Sequence, residues 1–216
     1  MTQDTAAFRN QTVYHTLRSR ICLLDYPPNS RLSEESLAAE FGMSRTPLRR
    51  VLARLEDEGL VQSQHGVGTL VTDVDIAEMR HVYELRMELA QLVGTLSPAP
   101  ITQNTRTEVA KFQSRANDLR ATPDARTFAQ LNMDFFDFGL SLCENQPLRD
   151  MSERLYYRTA RIWLKSISKL DLAQEIDIFA REIDETANAI AAGDTTAAAL
   201  IRRAHISMSI HRLSQP

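Results

Sequence analysis

Arg45, Arg49, Arg50 and Arg54 crowd into ten positions of a chain whose formal net charge is −3. Guanidinium groups at that density suit a polyanion: they pair with phosphate oxygens and, one helical turn in, reach the O6 and N7 acceptors of guanine. Ser44 and Thr46 add hydroxyls beside them, and "QHGVG" follows with His65 and Gly66 in a turn. Residues 1–72 hold 8 Arg against 8 Asp and Glu, whereas residues 73–216 hold 17 Lys and Arg against 20 acids, so the negative balance lies wholly in the second part. A nucleic-acid surface must therefore be a local patch rather than a property of the whole chain.

A helix is needed to hold that patch. Leu48, Val51, Leu52 and Leu55 recur at three- and four-residue spacing and mark the inward stripe, which leaves Arg45, Arg49 and Arg50 on the outer face. Ser44 is expected to cap this helix, Pro47 is tolerated in its first turn, and Gly59 stops it. Upstream, Val13, Leu17, Ile21 and Leu24 predict a helix over 12–24, Pro27 and Pro28 break it, and Ser33 caps a short helix that buries Leu37, Ala38 and Phe41. Downstream, "LVQSQ" and "TLVT" flank "HGVG" as a hairpin. Three helices and a two-stranded wing make a winged helix-turn-helix, predicted over residues 1–73. Its third helix presents free N–H groups and a positive dipole end to phosphate, and a side-chain-free Gly66 beside His65 suits the adjacent minor groove.

Residues 74–216 read as helix throughout, at about 75–96, 103–121, 124–142, 146–168, 172–192 and 195–213, with breaks at "SPAP", "ATPD", "ENQP", "SKLD" and "AGDT". The expected fold is therefore mainly α, the second domain being an all-helical antiparallel bundle of about six helices. With 43% hydrophobic residues and only 7 glycines, the composition supports a sizeable helical core. Cys22 and Cys143 form no C-x-x-C pair, and no apolar run approaches eighteen residues, so a cytoplasmic protein with two reduced thiols and no membrane span is expected. An enzyme is not: no P-loop, G-x-G-x-x-G, H-E-x-x-H or Ser-His-Asp grouping occurs, and the histidines at 15, 65, 81, 205 and 211 lack ligand spacing.

"RLSEESLAAEFGMSRTPLRRVLARLEDEGLV" closely resembles the DNA-binding domain of GntR-family transcriptional regulators, whose typical string is L-S-E-x-x-L-A-x-x-x-G-V-S-R-T-P-V-R-E-A-L-x-x-L-x-x-x-G-L-V. The resemblance assigns base and phosphate contacts to Arg45 and Arg49, supporting roles to Ser44 and Thr46, and wing contacts to His65 and Gly66. Arg50 stands where the family usually has an acidic residue, which adds a positive charge at the groove. The implied partner is double-stranded operator DNA, bound by a homodimer on a palindromic site.

Residues 74–216 resemble the all-helical FCD domain of the FadR type through "YELRMEL", "NMDFFDFGLSLCENQPL" and "AIAAGDTTAAALIRRAHISMSI". That resemblance implies dimerisation and a small-molecule effector, an organic acid or an acyl or aromatic compound. The family's metal ligands, a D-x-x-x-H helix and two later histidines, fall here on Asn132, Phe136, Ile183 and His205. Only His205 is a ligand type, and Asp134 and Asp137 lie off register, so no cofactor and no metal are expected. Arg86 matches an arginine frequent in the family, and Arg158 and Arg161 are candidates for further inward cations beside Tyr157 and Trp163. The expected effector residues are thus Arg86, Asn132, Phe136, Arg158, Arg161 and His205. Phe135, Phe136 and Phe138 together point to an apolar cavity. The expected function is that of a metabolite-modulated repressor; the alternative is a constitutive dimeric DNA binder whose effector site has decayed.

Overall fold

The computed structural model describes residues 2–213, with side chains from residue 7 onward. The chain divides into two compact units, Met1–Val74 and Asp75–Pro216.

In the first unit, α1 (Thr2–Cys22), α2 (Glu34–Glu40) and α3 (Arg45–Asp57) surround Val13, Leu17, Ile21, Leu37, Leu48 and Leu55, all buried. Leu24 does not extend the α1 stripe: its φ of 60° takes the chain out of the helix. Ser33 caps α2 by accepting the Ser36 amide, as the sequence predicts. At the end of α3 the Leu60 amide reaches the Leu55 carbonyl and the Gly59 amide the Glu56 carbonyl, a closure that puts Gly59 at a φ of 76°. The hairpin is β2 (Val61–Gln64) with β3 (Gly68–Val71), and a third strand that the sequence does not announce, β1 (Arg31–Leu32), joins it in the antiparallel order β1-β3-β2. Two residues carry no period, and the pairing of Arg31 with Leu70 comes from a distant stretch of chain, so local pattern could not reveal it.

The second unit is a bundle of α4 (Arg80–Leu92), α5 (Gln103–Ala121), α6 (Ala125–Ser141), α7 (Gln146–Ser166), α8 (Leu172–Ala192) and α9 (Thr195–Leu213), with one 3₁₀ turn, Ile167–Lys169, after α7. Asp124, Asn145 and Asp171 each accept an amide of the following first turn, which is why α6, α7 and α8 begin where they do. The predicted 75–96 helix is shorter than expected, because Asp75 accepts the Ala77 amide and holds the preceding residues in a turn. Phe112, Phe135, Phe138 and Phe179 interlock edge-to-face and stacked in the core, with Ile176, Ile183 and Ile190 of α8 against them.

Where α4 ends, its backbone comes close to the start of α9. A Cβ at Gly94 would lie 2.7 Å from Thr196 Cα and 3.0 Å from the Thr195 carbonyl oxygen, both backbone atoms that cannot swing aside. Gly94→Ala is therefore expected to destabilise the protein by about 1–3 kcal/mol, the usual cost of overpacking, read as a lowered urea midpoint with an unchanged slope.

Candidate nucleic-acid interface and ligand cavity

Ser44, Arg45, Thr46, Arg49 and Arg50 are all exposed on α3, opposite its buried Leu48, Val51, Leu52 and Leu55. Ser44 sits at the cap position with extended backbone but its hydroxyl makes no capping bond, contrary to expectation. Capping oxygens accept amides two or three positions on, and the third here is Pro47, which has no N–H. Arg45 and Arg49 lean on α2, Arg45 Nη2 lying 3.4 Å from Glu35 and Arg49 Nε 2.8 Å from Glu34. Arg54 is engaged elsewhere. Its guanidinium lies 3.5 Å above the Tyr14 ring and pairs with Glu58, whose carboxylate also accepts the Tyr14 hydroxyl at 2.7 Å. That arginine holds α3 to α1.

His65 and Gly66 are exposed at the hairpin tip, where Gly66 takes a φ of 75° and the Val67 amide closes the turn on the Gln64 carbonyl. Arg31 runs alongside this wing: a Cβ at Gly68 would meet its Nε at 3.2 Å. Sequence pattern does not single out this exposed cation, because it does not reveal the strand that carries it.

In the second unit α4, α6, α7, α8 and α9 enclose a cavity of about 80 Å³. Three arginines line it: Arg86, Arg202 and Arg212. Arg202 is neutralised by Glu182 at 2.6 Å, and Arg212 grips both oxygens of Glu175 at 2.6 and 2.9 Å, with Trp163 Nε1 donating to the same carboxylate. Arg86 differs. It is 9% exposed, donates to Thr159 Oγ1 at 2.6 Å and lies over the Tyr83 and Tyr156 rings, yet no carboxylate among the described residues pairs with it. Burial pushes its guanidinium below the ordinary value, and the charge of Arg202 adds to that shift.

Arg86, Asn132 and His205 of the expected set line this cavity; Phe136 instead stacks on Tyr156 at 3.7 Å and lines an adjoining space. Arg158 and Arg161 line neither. The inner face of α7 is Tyr156, Thr159, Ala160 and Trp163, at helical spacing, and positions 158 and 161 are turned off it by about 100° and 160° relative to Thr159. Tyr157 likewise turns toward Asp137. The position expected for a family histidine on α8, Ile183, is fully buried in the core, and its neighbour Glu182 faces the cavity instead. Arg202, Arg212, Glu175 and Glu182 were missed, although the spacing of 202, 205, 209 and 212 along α9 is itself a helix face.

His205 touches two carboxylates, Nδ1 at 3.8 Å from Glu182 and Nε2 at 3.1 Å from Glu185. They lie against opposite nitrogens of one ring and so cannot close on one ion. Asp134 is taken by Arg115 and Gln130. Among the described residues no three His, Cys, Asp or Glu gather as a metal site would require, and no helix is long and apolar enough to cross a membrane.

Residues 9–71 match the bacterial regulatory proteins of the gntR family, and residues 75–208 match the FCD domain. The chain is 29% identical, over 95% of its length and 85% of the relative's, to an uncharacterized HTH-type transcriptional regulator in an unstable DNA locus of Streptomyces ambofaciens. It is 26% identical to the HTH-type transcriptional repressor RspR of Escherichia coli, covering 79% of this chain and 77% of that protein. Among solved structures it superposes on E. coli McbR/YncC with a TM-score of 0.82 at 18% identity, over 95% of this chain and 96% of that one. A putative GntR regulator of Rhodococcus gives 0.74 at 20% identity, over 95% and 97%. With a DNA-reading motif in one unit and an FCD domain filling the other, the chain belongs to the FCD-domain transcriptional regulators of the bacterial GntR family.

Proposed function

We propose that the protein is a homodimeric repressor that binds a pseudo-palindromic operator and releases it when a small organic carboxylate enters the α4–α9 bundle. On the DNA side, Arg45 and Arg49 read bases, Arg50, Ser44 and Thr46 hold phosphates, and His65 and Gly66 enter the minor groove from the wing. A single recognition helix reads only a few base pairs, so two copies on two half-sites supply the specificity a regulator needs.

On the effector side, the observation that carries the reading is Arg86, a buried guanidinium with hydrogen-bonding capacity toward a cavity and no carboxylate of its own among the described residues. A buried charge is costly unless paired, and an anionic ligand is the missing partner. A divalent cation does not fit: it would stand among three guanidinium groups, with Glu175 and Glu182 already engaged and a lone His205 as nitrogen donor. We read the cavity as a metal-free anion site and as a binding site rather than a catalytic one.

A gel shift on the DNA upstream of the protein's own coding region, repeated with small carboxylates, tests this. Binding that weakens on adding a carboxylate which also raises the melting temperature supports the sensor. Binding indifferent to every acid in the series identifies a constitutive binder, and stabilisation by stoichiometric zinc overturns the metal-free site.

A further inference from the structure

Beside the arginine-lined cavity lies a second chamber of about 60 Å³ that shares Arg86, Arg202 and Ile206 with it. Its remaining wall is nearly all hydrocarbon, with Leu89, Val93, Phe136, Phe138, Leu140 and Ala199 among the lining groups. Two features mark this wall as unfinished by protein atoms. Ser152, 7% exposed, lines it with an Oγ that has no hydrogen-bond partner among the described residues, a rarity for a buried hydroxyl. Gly139 lines it from the last turns of α6, and a Cβ placed there meets nothing within 4 Å, where a packed core would have filled the space.

We propose that this chamber is the tail subsite of the effector, so that the ligand is a carboxylate with a compact apolar tail of about five carbons, its head on Arg86 and its tail against Gly139. The inference rests on the carboxylate reading above and adds the tail and its length. The length follows from volume: a water-sized group needs roughly 10–15 Å³ of such space, so about 60 Å³ admits four to six groups of that size, centred on about five. A longer chain has no room, and a doubly charged acid would bury its second carboxylate in hydrocarbon.

The test is a series of straight-chain acids, acetate, butyrate, hexanoate and decanoate, titrated against the full-length protein and read as dissociation constants from melting-temperature shifts. The wild type is expected to bind about fourfold more tightly for each added methylene up to hexanoate, and to gain nothing at decanoate. Gly139→Val, which adds methyl groups to the open space on a helix, is expected to flatten the series while acetate binds as before. Gly139→Ala is the milder form, compatible with the helix, and is expected to move the best ligand to a shorter chain. A wild-type series with no dependence on length, or a length gradient that survives both substitutions, overturns the tail subsite and leaves the carboxylate reading standing. Failure of every acid to bind the wild type overturns both.

Discussion

Replacing Arg45 and Arg49 together by alanine is expected to weaken binding to the operator about 10²–10⁴-fold, measured by anisotropy at fixed salt, because each bidentate base contact carries about 1–3 kcal/mol of discrimination. In the free protein both side chains are exposed, and among the described residues they pair with Glu35 and Glu34 on the surface. Such pairs contribute about 0–1 kcal/mol, so giving them up on DNA costs little beside what a base contact returns. For the same reason the double variant is expected to keep its melting temperature, surface changes of this kind staying within about 0.5 kcal/mol. The slope of log affinity against log salt separates the two roles: it falls by about 0.9 for every phosphate no longer neutralised and stays put where only base recognition goes. Arg54→Ala offers the contrast, since its guanidinium is committed to the Tyr14 ring and Glu58, and its removal is expected to appear as lowered stability. Undiminished specific binding by the double variant would remove these arginines from the interface.

What was legible in the chain and what was not follow one division. Helix starts were legible where a side chain does the capping, as at Asp124, Asn145 and Asp171, because a cap is a local interaction written in adjacent residues. The outer face of α3 was legible for a similar reason, its buried leucines fixing which arginines must face out. Strand β1 was not, since it exists only through pairing with β3. The Ser44 cap failed for a reason that was present in the sequence all along, the proline three positions later.

Around the cavity a single residue decides whether a side chain faces in or out. The family position on α8, Ile183, is buried in the core, while Glu182 one residue before it carries the carboxylate that neutralises Arg202, because a helix turns about 100° per residue. On α7 likewise, Arg158 and Arg161 do not line the cavity, whereas Arg86, Asn132 and His205 on their helices do. Motif likeness pointed to helices that line the cavity; only the packing decides which residue of each turn points in.

Arg86→Met is the substitution that distinguishes a ligand group from a structural one. An isolated buried charge weighs against the fold, and here it is compensated among the described residues by the Thr159 hydroxyl and by Tyr83 and Tyr156, with no carboxylate. Removing the guanidinium forfeits those interactions, at about 0.5–2 kcal/mol for the rings, but methionine fills similar volume and keeps a sulfur against the same rings. Thr159 Oγ1 is not orphaned, since it still donates toward the Leu155 and Tyr156 carbonyls. The relieved desolvation is larger than what remains of the loss, so the unliganded variant is expected to be as stable as the wild type or about 1 kcal/mol more stable, a rise of a few degrees in melting temperature. Carboxylate binding is expected to fall about 10²-fold or more, two charge-assisted hydrogen bonds being worth about 1.5–3 kcal/mol each. The DNA-binding unit is untouched, so the variant should hold its operator while ignoring acids that release the wild type. A variant that is markedly destabilised yet still binds hexanoate would show instead that Arg86 serves the fold, and the anion site would have to be sought at Arg202 or Arg212.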